Sequence, residues 1–133
     1  MFPSRTISLA INRPCAEVYA FLSNPANLTR WTGGMLEAPP RQVSEHVWQT
    51  AYEGAEVRLE FAPINTLGVV DLAVTGRGNA DRVFWARVFP NGEGTELCCT
   101  ILQGADESDV EFQSNFEWLR ADLLVFKSFV EAL

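Results

Sequence analysis

Six large apolar residues near the end of the chain recur at steps of four, three, four, three and four: Phe112, Phe116, Leu119, Leu123, Phe126 and Val130. That is the helical period, and it places all six on one face of one helix. A stripe of that length must be covered, so the rest of the chain has to supply a surface for it. The start of the helix is marked by Ser108-Asp109-Val110-Glu111, the pattern of a capping box in which Ser108 caps and Glu111 reaches back. A coiled coil shares this spacing, but a single short run after a series of strands reads better as a helix lying on a sheet. Trp118, Leu124, Val125 and Phe129 fall off the stripe. Either flanking elements cover them or they form a homodimer contact.

The covering surface is legible as a change of period from 3.6 to two. Thr6 to Asn12 alternates, with Ile7, Leu9 and Ile11 on one face. A short helix follows, with Pro14 suited to its first turn and Val18, Phe21 and Leu22 as its apolar stripe. Asn24 caps a second short helix, with Pro25 in its first turn, Leu28 and Trp31 inward, and Gly33 and Gly34 at its end. Residues 35–43 read as a loop. Strands are then expected from Ser44 through Tyr52, from Ala55 to Ala62, from Val69 to Thr75, from Val83 to Phe89 and from Thr95 to Leu102. Glu53-Gly54 and Asn65 to Gly68 are turns, Gly76 to Asp81 is a loop, and Asn91-Gly92-Glu93-Gly94 is a hairpin signal. These connections are too short for parallel crossovers, so the sheet is antiparallel. The expectation is one α+β domain over residues 1–133. Six or seven antiparallel strands curve around the long C-terminal helix, and two short helices sit between the first two strands.

Composition narrows the functions. The chain has 133 residues and a net charge of −7, with no basic stripe to meet phosphates, so no nucleic-acid partner is expected. It contains no run of eighteen apolar residues, so no membrane span is expected. Its first residues lack the apolar core of a secretory signal, so a cytoplasmic location is expected. The three cysteines, Cys15, Cys98 and Cys99, are odd in number, and two are adjacent, which does not read as a disulfide framework. His46 is the lone histidine. Without CxxC, HxH or HExxH spacing, no metal site is expected; Cys98 with Cys15 and His46 is the one set left as a formal alternative. No cofactor motif is present either. Gly76, Gly78 and Asn79 lack the spacing of a phosphate cradle, and no serine has the setting of a hydrolase nucleophile.

A curved sheet gripping one helix closes completely only if the helix packs along its whole length. If it packs well at its C-terminal half only, an apolar pocket remains beneath the N-terminal half, the usual form of a small-molecule site. At this level the chain resembles the START-like, helix-grip superfamily, also called SRPBCC, which includes polyketide cyclases, Bet v 1-like allergens and lipid carriers. The resemblance is carried by Ile7 through Pro14, Glu17 through Pro25 and Trp31, then Gly68-Val69-Val70-Asp71 and Arg87 through Glu96. The ending Asp122-Leu123-Leu124-Val125-Phe126-Lys127 with Glu131 also carries it. It spans nearly the whole chain and implies a fold more than a function. Close relatives often carry a histidine directly after the residue matching Asp71; here Leu72 stands there.

The residues expected to line a pocket are Trp48, Thr50, Leu59, Phe61, Leu72, Trp85, Arg87, Phe112 and Phe116. Trp48 and Trp85 are either a stacking wall or core packing. Arg87 faces the cavity if it shares a face with Val83, Trp85 and Phe89. It faces solvent if Arg82, Phe84, Ala86 and Val88 turn inward, since a one-residue slip reverses every face. Asp71 is expected on the convex side, where a pair with Arg87 would satisfy both. Asp122 reads as structural, bonded near Trp31 or to a loop amide. Three functions fit. The first is binding of a small, largely hydrophobic ligand by a carrier or sensor. The second is a cyclase-like or dehydrase-like enzyme, with His46, Tyr52, Asp71 and Arg87 as candidate catalytic groups. The third is a protein-interaction domain of chaperone-activator type, favoured if Trp48, Trp85 and Phe116 fill the hollow.

Overall fold

A computed structural model describes residues 1–33, 36, 38–77 and 81–133. Strand β1 (Ser4–Ile11) leads into helix α1 (Cys15–Leu22), a 3-10 turn (Pro25–Asn27) and helix α2 (Leu28–Trp31). Strands β2 (Arg41–Ser44), β3 (Val47–Tyr52), β4 (Ala55–Phe61), β5 (Leu72–Thr75), β6 (Arg82–Asn91) and β7 (Gly94–Leu102) follow, and helix α3 (Asp109–Glu131) ends the chain. Among the described residues the strands form one seven-stranded sheet in the order β1-β7-β6-β5-β4-β3-β2, with every pairing antiparallel. This is the helix-grip arrangement. Gly34, Gly78 and Asn79 lie outside the described residues.

The expected stripe is the buried face of α3. Phe112, Phe116, Leu119, Leu123, Phe126 and Val130 are all buried, chiefly against Ile7, Ile11, Val88, Leu97 and Ile101 of the sheet. Full burial of each such side chain stabilises by roughly 1.5–3 kcal/mol before entropy is counted. The capping box forms as read: Glu111 N donates to Ser108 Oγ at 3.1 Å and Ser108 N donates to Glu111 Oε1 at 3.2 Å. At the other end, Asn12 N and Lys127 Nζ donate to Glu131 Oε2 at 2.7 and 3.0 Å, and Lys127 Nζ also reaches Ala10 O. These bonds tie the helix end to the end of β1. Phe21 and Trp31 stack their edges on Phe126, with centroids 5.7 and 5.3 Å away, so the two short helices dock on α3 through aromatic contacts. Trp118, Leu124 and Val125 are exposed.

Two elements differ from the sequence reading. Residues 41–43, read as loop, and Ser44, read as the start of the next strand, form β2 and pair with β3 as Arg41↔Gln49 and Gln42↔Trp48. The strand is exposed throughout, so it carries no inward apolar alternation to announce it. The strand expected from Val69 to Thr75 is regular only from Leu72. Val70 N donates to Ala86 O at 3.0 Å, but the reciprocal Ala86 N–H is taken by Asp71 Oδ1 at 2.8 Å. A carboxylate thus stands where a strand carbonyl would, and the ladder is interrupted. Just before this, Asn65 Oδ1 accepts from Leu67 N and Val69 N. The chain then passes Gly68 at φ +73°, where a Cβ would lie 1.9 Å from Val88 O, so only glycine fits.

Candidate functional site

The site follows from one register. On β6, Phe84, Ala86 and Val88 turn toward α3, while Trp85, Arg87 and Phe89 are exposed. Ala86 is paired with Cys99 of β7, so two small side chains lie side by side on the sheet floor. Beneath the middle of α3 the floor therefore drops away. The helix is held by Phe112 and Phe116 at one end and by Phe126 and Val130 at the other. The result is a cavity of about 350 Å³ against Asn115, Trp118, Leu119, Asp122 and Leu123, which begins under the N-terminal half of α3, where a hollow was expected, and continues past the helix middle. Its walls are mainly apolar: Leu22, Leu28, Trp31, Phe61, Val70, Leu72, Phe84 and Leu97. The polar side chains lining it are Thr32, Tyr52, Arg77, Arg82, Asn115 and Asp122.

Of the residues expected to line a pocket, Phe61 and Leu72 do, and so does Tyr52 from the catalytic candidates. Trp48, Thr50 and Leu59 share the same concave face, but Trp48 and Leu59 pack in a second core cluster with Val57 and Val74. Thr50 Oγ1 donates to Ala38 O at 2.7 Å. Phe112 and Phe116 are spent in the main core. Trp85 does not face inward: it is 50% exposed, because the register of β6 gives the inner face to its neighbours. The same register turns Arg87 outward, where its Nη2 donates to Leu67 O at 3.1 Å. No Asp71–Arg87 ion pair forms among the described residues; Asp71 is engaged by the Ala86 amide instead. His46 sits in the β2–β3 turn with Glu45 at 4.0 Å, six residues along the strand from Tyr52, about 20 Å by strand rise. Cys15, Cys98 and His46 are not brought together, and among the described residues no group of three His, Cys, Asp or Glu side chains is placed to hold a metal.

Burial pushes the Cys99 thiol up to about 12, with the charge of Asp71 and the neighbouring Cys98 adding to it. Cys99 is therefore a protonated, unreactive wall. Burial also pushes the Asp122 carboxyl above its usual range, partly countered by the hydrogen bond it accepts from Gly33 N at 3.0 Å. This is the loop-amide contact expected of Asp122. At the N-terminal end of α3 lies a polar cluster that sequence reasoning missed. Glu107 accepts from Arg82 Nη2, from Asn115 Nδ2 at 2.6 Å and from Gly104 N at 2.9 Å. Arg82 Nη2 also reaches Leu102 O at 3.2 Å. A signal for Asn115 was present: it stands three residues after Phe112 and four before Leu119, inside the apolar stripe. Arg82 was visible only as one of two registers, and Arg77 stood in a segment read as loop.

No protein-family model and no curated protein matches the chain. Solved structures do match in fold. CalU16 from Micromonospora echinospora superposes with a TM-score of 0.68 at 16% identity, over 96% of this chain and 73% of that one. Ara h 8.0201 gives 0.73 at 10% identity with both chains fully covered. The Aha1 dimer from Colwellia psychrerythraea gives 0.70 at 14% identity, over 97% of this chain and 96% of that one. The chain shares the helix-grip fold of these structures, as its resemblance to the START-like (SRPBCC) superfamily led one to expect. At these identities the likeness speaks for the fold alone. Among the described residues no helix is long and apolar enough to cross a membrane.

Proposed function

We propose that this chain binds a small, largely apolar molecule in the cavity between the sheet and α3, as a carrier or sensor. The observation behind this reading is the cavity itself, about 350 Å³ in the place where a close-packed interior would have none. Its volume and apolar lining with a few polar groups match small-molecule sites. Unfilled space under a core helix costs stability, which a ligand would return. None of Trp48, Trp85 and Phe116 lines the hollow, which favours a ligand over a purely protein-docking role.

Native mass spectrometry of the purified protein, followed by denaturation and identification of what is released, tests this. An apolar adduct of defined mass is expected. A bare chain whose melting temperature no member of a broad apolar panel raises would reject the reading.

One observation favours a second reading, an enzyme of cyclase or dehydrase type. Asp122 is a cavity carboxyl held above its usual range, the kind of group that general acid–base chemistry uses. Incubating the protein with the released molecule and its precursors should then change their mass, by loss of water, or their chromatographic retention at constant mass, by ring closure, and Asp122→Asn should abolish the change. Identical masses and retention with and without protein would leave binding alone.

A further inference from the structure

Apart from Thr32 and Asp122, the cavity's polar side chains gather at one end, and that end is cationic. Strands β3 and β5 finish there and β6 and α3 begin there, so Tyr52 from β3, Arg77 just after β5, Arg82 from β6 and Asn115 from α3 converge. The charges do not cancel. Arg82, with its side chain only 9% exposed, is paired to Glu107. Glu107 also draws on Asn115 and Gly104. Arg77 has no ion pair among the described residues; its guanidinium carbon lies 4.3 Å from the centre of the Tyr52 ring. Asp81, the nearest acid in sequence, is engaged by the Arg77 backbone N–H at 2.6 Å. Among the described residues, both arginines keep a buried Nε–H with no acceptor. A buried donor left unsatisfied is costly, and most find a partner. Asp122 lines the same cavity but stands seven residues along α3 from Asn115, about 10 Å by helical rise.

We propose that Arg77 and Arg82 seat the anionic head of the ligand, so that the molecule bound is an amphipath with a carboxylate at the end of an apolar body. With Arg82 offset by Glu107, one uncompensated positive charge remains, which matches a monoanion. The guanidinium groups of the two arginines lining the cavity give the carboxylate donors to accept from, and the apolar walls take the chain behind it. This rests on the cavity-binding reading above and adds the ligand's head group to it.

Displacement of the neutral fluorophore N-phenyl-1-naphthylamine separates the two levels. Decanoate, 1-decanol and decyltrimethylammonium are compared as competitors. Decanoate is expected to displace the probe at about tenfold lower concentration than 1-decanol, the scale of one charge-assisted hydrogen bond. Arg77→Met should remove that advantage while leaving 1-decanol unchanged. A double variant, Arg82→Met with Glu107→Gln, tests the second arginine without leaving Glu107 as an unpaired charge. If the double variant does not fold, Arg77→Met still decides. Equal displacement by acid and alcohol, or an acid preference that survives Arg77→Met, overturns the head-group assignment and leaves the cavity standing. A preference for the ammonium compound overturns it in favour of Asp122. Failure of the folded protein to bind the neutral probe would sink the cavity reading itself.

Discussion

Glu107 carries its charge with only 3% of its side chain exposed, held by Arg82, Asn115 and the Gly104 amide. Burial alone would push this carboxyl up, but the three donors together outweigh it and hold the group below the usual 4.5. A carboxyl depressed in the folded state adds stability that is present above its ordinary value and is lost as pH falls through the folded one. Glu107→Gln leaves Arg82 as an unpaired buried cation. A loss of about 3 kcal/mol in urea unfolding at neutral pH is expected, shrinking as the pH drops below 4.5. Asp122 has the opposite sign. Its carboxyl is raised by burial, so the protonated folded form is favoured. Stability is greatest below the usual 3.8 and declines as pH rises through the folded value. Asp122→Asn keeps an oxygen for the Gly33 amide. It should raise the melting temperature at neutral pH and leave it unchanged well below pH 3.8. The loop-amide bond of Asp122 was expected from the sequence, whereas the setting of Glu107 was not. Asp122 looked structural because it lies between the inner positions Leu119 and Leu123, but Glu107 precedes the helix among other acids, and its partners are 3 to 25 residues away.

Among the elements, α3 was the most legible, from its cap to its last buried residue, because a helix buries one face by a purely local period. Its cap is correspondingly testable. Ser108→Ala removes the acceptor for Glu111 N and should cost about 1 kcal/mol, a melting-temperature drop of roughly 4 °C by differential scanning calorimetry. β2 was missed because an exposed edge strand shows no inward alternation. β5 was read too long because Val69 and Val70 look like strand, and in part they are: Val69 bridges Arg87. What stops the ladder is the Asp71 side chain taking a backbone partner. Periodicity counts apolar residues and does not register a side chain substituting for the main chain.

At the scale of the whole molecule the question is whether the space between sheet and helix is a hollow or a packed core, and Ala86 tests it. Overpacking a filled interior typically costs about 1–3 kcal/mol. In this structure the extra atoms of Ala86→Phe enter open space, so the melting temperature should change little while binding of the neutral probe is lost. The architecture was readable from order alone. A β-type period, two short capped helices, a hairpin series and one long amphipathic helix admit few packings, and each signal lies within a few neighbouring residues. The cavity was not readable in the same way. It exists because Ala86 and Cys99 meet across β6 and β7, thirteen residues apart, with Phe84 rather than Trp85 facing the helix. Both residues of each alternating pair were compatible with the sequence. Only strand pairing across the folded sheet decides the register, because a shift of one residue changes no local preference but reverses every face.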